Sequence, residues 1–226
     1  MEPERRTADP AGDRVATALR GFGPIGIVFI IAVLLVGPLL GASLVLVWAW
    51  RTKLPWRDLG FVRPRHWVLT IAGGIVAGVA LKLLMKAVVM PLLGAPPINP
   101  AYSYLNGNTA ALPATFANVI ITAGIGEEIL WRGFFFERLR KLLGTTRRAR
   151  TVTVLITSTL FGLAHYVSQH WMGVEQAFIV GLIFGTYFVL TRNLIPLMVA
   201  HAAFDVFAVF IVYRGWEERV AHAIFH

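Results

Sequence analysis

The sequence predicts an all-α membrane protein, a polytopic bundle of about six transmembrane helices. Three observations predict it. The 226 residues are 57% apolar with a mean hydropathy of +0.67, above the roughly 45–50% apolar content of soluble domains. The apolar residues are gathered into runs long enough to cross roughly 30 Å of hydrocarbon at 1.5 Å per residue. The runs lack the roughly ten-residue alternation of barrel strands, so helices must satisfy the backbone within lipid.

Residues 1–23 form a polar N-terminal tail with four arginines and four carboxylates. The first apolar run, 24–50, is too long for the core of a signal peptide, and no small-residue cleavage site closes it. It is expected to remain as a span, kinked at Gly37-Pro38. The further spans are expected at 67–93, 113–137, 151–168, 174–191 and 195–213. Residues 24–213 thus make one membrane domain, and 214–226 a short C-terminal tail. Trp48, Trp50, Trp56 and Trp67 flank the first basic loop, where an interfacial aromatic belt belongs.

The net charge of +9 does not indicate nucleic acid, and no nucleic-acid partner is expected. The basic residues sit in short loops between apolar runs, at Arg51–Arg65 and Arg138–Arg150, as the positive-inside tendency requires. Those loops are expected to face the cytoplasm and the uncharged 94–112 loop the other side. Six spans would then put both termini on that far side. The 138–150 loop also suits contact with anionic head groups of the bilayer. The absence of cysteine excludes thiol chemistry and disulfides.

Ionisable residues within apolar spans are costly, about 2.5–3.5 kcal/mol each at mid-bilayer, and suggest function by default. The third span carries Glu127, Glu128 and Arg132, the fourth Phe161 and His165, and the sixth His201 and Asp205. Residues four apart share a helix face and neighbours diverge by about 100°. Glu128 therefore pairs with Arg132, while Glu127 points elsewhere. Adjacent carboxylates repel, and Glu127, without the arginine, is the candidate proton acceptor of a general base. Asp205 is placed to orient His201, and Phe161 to wall a site that His165 completes. At 1.5 Å per residue, Glu127 lies roughly 16 Å from Arg138 and His201 roughly 14 Å from Arg192, so their depths agree, whereas His165 lies roughly 22 Å from Arg150, about one turn farther.

Glu127-Glu128-x-x-x-Arg132, Phe161-x-x-x-His165 and His201-x-x-x-Asp205, in that order on three helices, resemble the CPBP family. That family contains the type II CAAX-prenyl endopeptidases and the bacterial bacteriocin-processing and immunity-associated Abi proteins. The motif core covers 127–205, and Leu54–Phe61 looks like a short segment often found before it. The resemblance implies an intramembrane metalloendopeptidase of the cell membrane, acting on a membrane-embedded or lipidated peptide. It implies Glu127 as the base that activates water, His165 as its partner, and His201 as a metal-binding or hydrogen-bonding residue. Asp205 stands where eukaryotic members usually carry an asparagine thought to bind the oxyanion, and an ionised aspartate cannot donate there.

Glu127, His165 and His201 make a plausible set for one divalent metal such as zinc, with an open position; metal-dependent and metal-free versions both stay open. The active site is expected toward the cytoplasmic side. Two rival readings use the same residues. One is a proton-coupled carrier, for which Lys82 and Lys86 in the second span would line a charged path, unless they snorkel outward. The other is a non-catalytic scaffold or immunity protein.

Overall fold

The computed structural model describes residues 10–225, and among these it is helical throughout, with no strand; residues 1–9 of the expected tail lie outside that range. The helices are α1 (Pro10–Arg20), α2 (Pro24–Leu35), α3 (Pro38–Arg51), α4 (Trp67–Leu92), α5 (Thr109–Leu143), α6 (Arg147–Ala164), α7 (Tyr166–Thr191), α8 (Ile195–Tyr213) and α9 (Glu217–Ala221).

Run 24–50 is not one kinked span. Gly37 adopts φ +82°, a conformation that side chains disfavour, and Pro38 then opens α3 with its φ already helical. The chain reverses rather than bends. Trp48 Nε1 donates to the Leu19 carbonyl at 3.1 Å, Arg20 donates to the Thr52 carbonyl, and the rings of Phe29 and Trp48 stack at 5.9 Å. A straight helix would hold residues 19 and 48 roughly 40 Å apart. The pair α2–α3 is therefore a hairpin that enters and leaves at one end of the bundle. The expected break is in the right place, but its size differs, because apolarity continues on both sides of the turn.

Two ends of the bundle follow from the contacts. Arg138 Nη1 donates to the Arg20 carbonyl at 2.9 Å, Arg192 Nη2 to the Asp58 carbonyl at 3.2 Å, and Leu194 N to the Gly60 carbonyl at 2.8 Å. This is the basic end, and it holds the start of the hairpin. At the far end Gly107 N donates to the Tyr213 carbonyl at 3.0 Å, and Glu217 Oε1 accepts from Lys86 at 2.9 Å and from Asn99 N at 3.1 Å. The chain thus enters α2 at the basic end and leaves α8 at the far end. This corrects the expectation of both termini on one side.

Four helices are long and apolar enough to cross a membrane, α4, α5, α7 and α8, or five if the α1–α2 pair, bent by 59°, is one span. The count falls short of six for physical reasons. The first run doubles back, and α6 opens with Arg147, Arg148 and Arg150, which leaves a short apolar remainder.

The helices lock at two places that position the site. Trp48, Phe134, Phe136, Phe188 and Leu194 are fully buried near the basic end, with Trp48 edge-on to Phe134 at 5.2 Å and Phe136 edge-on to Phe188 at 5.2 Å. Helices α4 and α8 run parallel in close contact. A Cβ on Gly78 would meet the Ala200 carbonyl and the Phe204 amide, so only glycine admits this approach. That register sets Lys82, one turn further, level with Phe204 on α8, with Nζ 4.8 Å from its ring centre.

Candidate active site

Helix α5 winds in wide π-helical turns over Asn118–Glu127 and Ile129–Phe135, a form of helix that often marks functional positions. The two glutamates at their junction face different surroundings, as the spacing predicts. Glu128 is wholly buried, and its Oε1 accepts from Arg132 Nη1 at 2.9 Å. The guanidinium lies over the rings of Phe161 at 4.5 Å and Phe184 at 5.5 Å, where stacking as well as charge holds it.

The same Glu128 oxygen lies 2.7 Å from Nδ1 of His201. A carboxylate in an ion pair only accepts, so Nδ1 carries the hydrogen and Nε2 is turned to the other side. There Nε2 lies 3.5 Å from Asp205 Oδ2 and 3.9 Å from Glu127 Oε2. The imidazole is therefore oriented by Glu128, not by Asp205 as the four-residue spacing suggests. The spacing is real, but the tighter bond comes from another helix.

Glu127 Oε2 is a buried oxygen with no hydrogen-bond partner among the described residues. An acceptor left so is costly unless water or a ligand meets it. Glu127 lines a cavity of about 910 Å³ together with His165, His201 and Asp205, so the three helices do bring the predicted residues to one space. His165 caps α6, with Nδ1 2.8 Å from the Phe161 carbonyl and its ring edge-on to Phe161 at 4.8 Å. A carbonyl only accepts, so Nδ1 holds the hydrogen and the Nε2 lone pair is left free.

The cavity has a direction. Its walls come from Tyr102 and Tyr104 in the 94–112 loop, from Asn118 on the far half of α5, and from Gln169 beyond the end of α6. The tip of the hairpin at Gly37-Pro38 forms another wall. All of these except the tip belong to the far end of the bundle. Toward the basic end, residues Ile129–Arg138 are buried without a break. Sequence reasoning missed the tyrosines, Gln176 and the hairpin tip as wall residues. Nothing in their local pattern marks them, since the fold alone brings them to the cavity.

Among the described residues, no group of three His, Cys, Asp or Glu side chains is arranged to hold a metal ion. Glu127, His165 and His201 share the cavity but do not converge as a coordination sphere requires. The metal set that the sequence left open does not fit this arrangement.

Residues 109–207 match the family model of the type II CAAX prenyl endopeptidases, Rce1-like. The match holds every motif from Glu127 to Asp205 and agrees with the resemblance that their order carries. It covers somewhat less than half of the chain. No curated protein and no solved structure matches the chain.

Proposed function

We propose that the protein is an intramembrane endopeptidase that hydrolyses a peptide bond of a membrane-embedded or lipidated substrate. The family match over 109–207 supports the reaction class. The observation that carries the site is Glu127 on the wall of a large cavity, with its unpartnered, buried Oε2 3.9 Å from Nε2 of His201. Two acceptors at that separation can both bind one water at ordinary hydrogen-bond length.

In this reading Glu127 accepts a proton from that water as general base. His201 Nε2 takes the second hydrogen as a hydrogen bond, which aims the oxygen lone pair at the scissile carbonyl. Attack forms the C–O bond. The C–N bond then breaks, and the departing amine takes the proton back from Glu127. Glu128 and Arg132 do not touch the substrate; they hold His201. His165 offers its free Nε2 to a substrate N–H or to the leaving amine, and its contact with Phe161 fixes its ring. Asp205, beside Nε2, accepts rather than donates when ionised, and donates to an oxyanion only when protonated.

The protein is integral to the membrane and multi-pass. Two expectations of sidedness conflict: the basic loops in the cytoplasm, and an active site open to the cytoplasm. On the cavity wall Tyr102, Tyr104, Asn118 and Gln169 belong to the end away from the basic loops, while Leu130, Trp131 and the hairpin tip do not. With those loops cytoplasmic, the site opens toward the opposite side. Packing of Trp48, Phe134 and Phe136 between the cavity and the basic end counts against a carrier.

The test is turnover by purified protein in lipid nanodiscs against a library of lipid-anchored peptides, read by mass spectrometry. The wild type is expected to yield defined products, and Glu127→Gln to lose about 100-fold or more in rate. Full retention of cleavage by Glu127→Gln would overturn the assignment.

A further inference from the structure

The basic end of the bundle holds three arginines that the mechanism above does not use. Phe136 of α5 lies edge-on to Phe188 of α7 at 5.2 Å, and the side chains of Phe136 and of Val154, on α6, both crowd the bare face of Gly185. Phe136, Val154 and Phe188 thus form one layer between three helices. Arg140, Arg150 and Arg192 each stand four residues from one of them, toward the basic end. Residues four apart share a face, so all three arginines occupy the next layer out. The Arg192 guanidinium lies over the Phe188 ring at 4.9 Å, in keeping with that placement.

These charges are not matched within the chain. Among the described residues no carboxylate forms an ion pair with Arg140, Arg150 or Arg192. Two carboxylates are near. Glu137, wholly buried, is already held by Arg138 and Lys141. Asp58 gives Arg192 its carbonyl oxygen at 3.2 Å, and its carboxylate pairs with none of the three. Arg140 Nε is buried with no hydrogen-bond partner among the described residues. Burial holds Arg192 below its ordinary pKa and the charge of Arg140 adds to this, while Asp58 and Glu137 oppose it and Arg150 reinforces it.

Two local features also work against the cluster. Arg150 lies in the first turn of α6, where a helix favours anions over cations. Arg192 adopts φ +54°, the left-handed region in which helices ordinarily end on glycine. A phosphate among three guanidiniums would offset the unmatched charge with charge-assisted hydrogen bonds.

We propose that Arg140, Arg150 and Arg192 form a binding site for the phosphate of an anionic phospholipid in the leaflet at the basic end. The level fits, because the three stand at the ends of α5, α6 and α7, and basic pockets between membrane helices suit lipid head groups. The site is more specific than the 138–150 loop, since Arg192 comes from the turn between α7 and α8. It does not depend on the peptidase reading.

The test is native mass spectrometry of the protein in neutral detergent, titrated with phosphatidylglycerol, with phosphatidylcholine of the same chains, or with inorganic pyrophosphate. The wild type is expected to hold one phosphatidylglycerol about tenfold more tightly than phosphatidylcholine, whose choline already neutralises its phosphate. Arg140→Gln with Arg192→Gln should bring that ratio to about one. Arg63→Gln with Arg65→Gln removes the same charge from exposed positions of the other basic loop and should leave the ratio unchanged. Arg150→Gln alters only an exposed side chain, so it reports even if the first pair fails to fold, and it should lower the ratio about threefold. Equal binding of the two lipids by wild type, or a ratio that survives loss of Arg140 and Arg192 or of Arg150, would overturn the proposal. So would the same fall on loss of Arg63 and Arg65, or pyrophosphate held as tightly as phosphatidylglycerol, which would point to a soluble anion.

Discussion

His201 Nδ1 and Glu128 Oε1 lie 2.7 Å apart although their residues are 73 positions apart in the chain. One carboxylate oxygen thereby receives both a guanidinium from its own helix and an imidazole from α8. The bond ties α5 to α8 at the level of the site and decides which nitrogen of His201 faces the cavity.

Breaking that arrangement should cost both stability and activity. Arg132→Met leaves Glu128 buried without its cation, and such a loss is worth about 3–5 kcal/mol. Glu128→Gln keeps the shape but weakens both bonds. Urea unfolding in micelles is expected to show a large loss for Arg132→Met and a smaller one for Glu128→Gln. The double variant should lose less than the sum, as residues of one network do. Additive losses would show that the two act apart.

The hairpin makes a prediction about sidedness. The chain has no cysteine, so single cysteines report without background. Arg14→Cys and Arg51→Cys, exposed positions before and after the hairpin, should react with an impermeant maleimide from the same side of the membrane. Asn108→Cys in the far loop should react from the other. Labelling of positions 14 and 108 from one side would mean that run 24–50 crosses the membrane as a single span.

Close packing of α4 on α8 makes a third prediction. Gly78→Leu forces a side chain against the Ala200 carbonyl and Phe204 amide and should cost about 1–3 kcal/mol or more. Gly73→Leu, where a Cβ meets nothing within 4 Å, should be near neutral. Thermal unfolding of the two variants in the same detergent checks this. Similar melting of both would contradict the packing.

These residues also show what a sequence can and cannot disclose. Glu127, His165 and His201 stood out because charge within an apolar run is expensive, and the structure brings them to one cavity. The Glu128–Arg132 pair followed from helical spacing and is present at 2.9 Å. The bond from Glu128 to His201 had no such signal, because it joins separate helices whose facing depends on packing. The reversal at Gly37 was hidden for another reason. A kink and a hairpin have the same composition, and the difference lies in one backbone angle. The direction of the cavity was hidden as well, since it depends on which end the aromatic residues fill.

The most direct test of the catalytic centre is a double-mutant cycle on kcat/KM for Glu127→Gln and His201→Ala, measured on one lipid-anchored peptide in nanodiscs. If the two side chains act on one water, the double variant should be about as slow as the slower single variant. If the losses instead multiply, the two residues do not share a water and the account of the site fails.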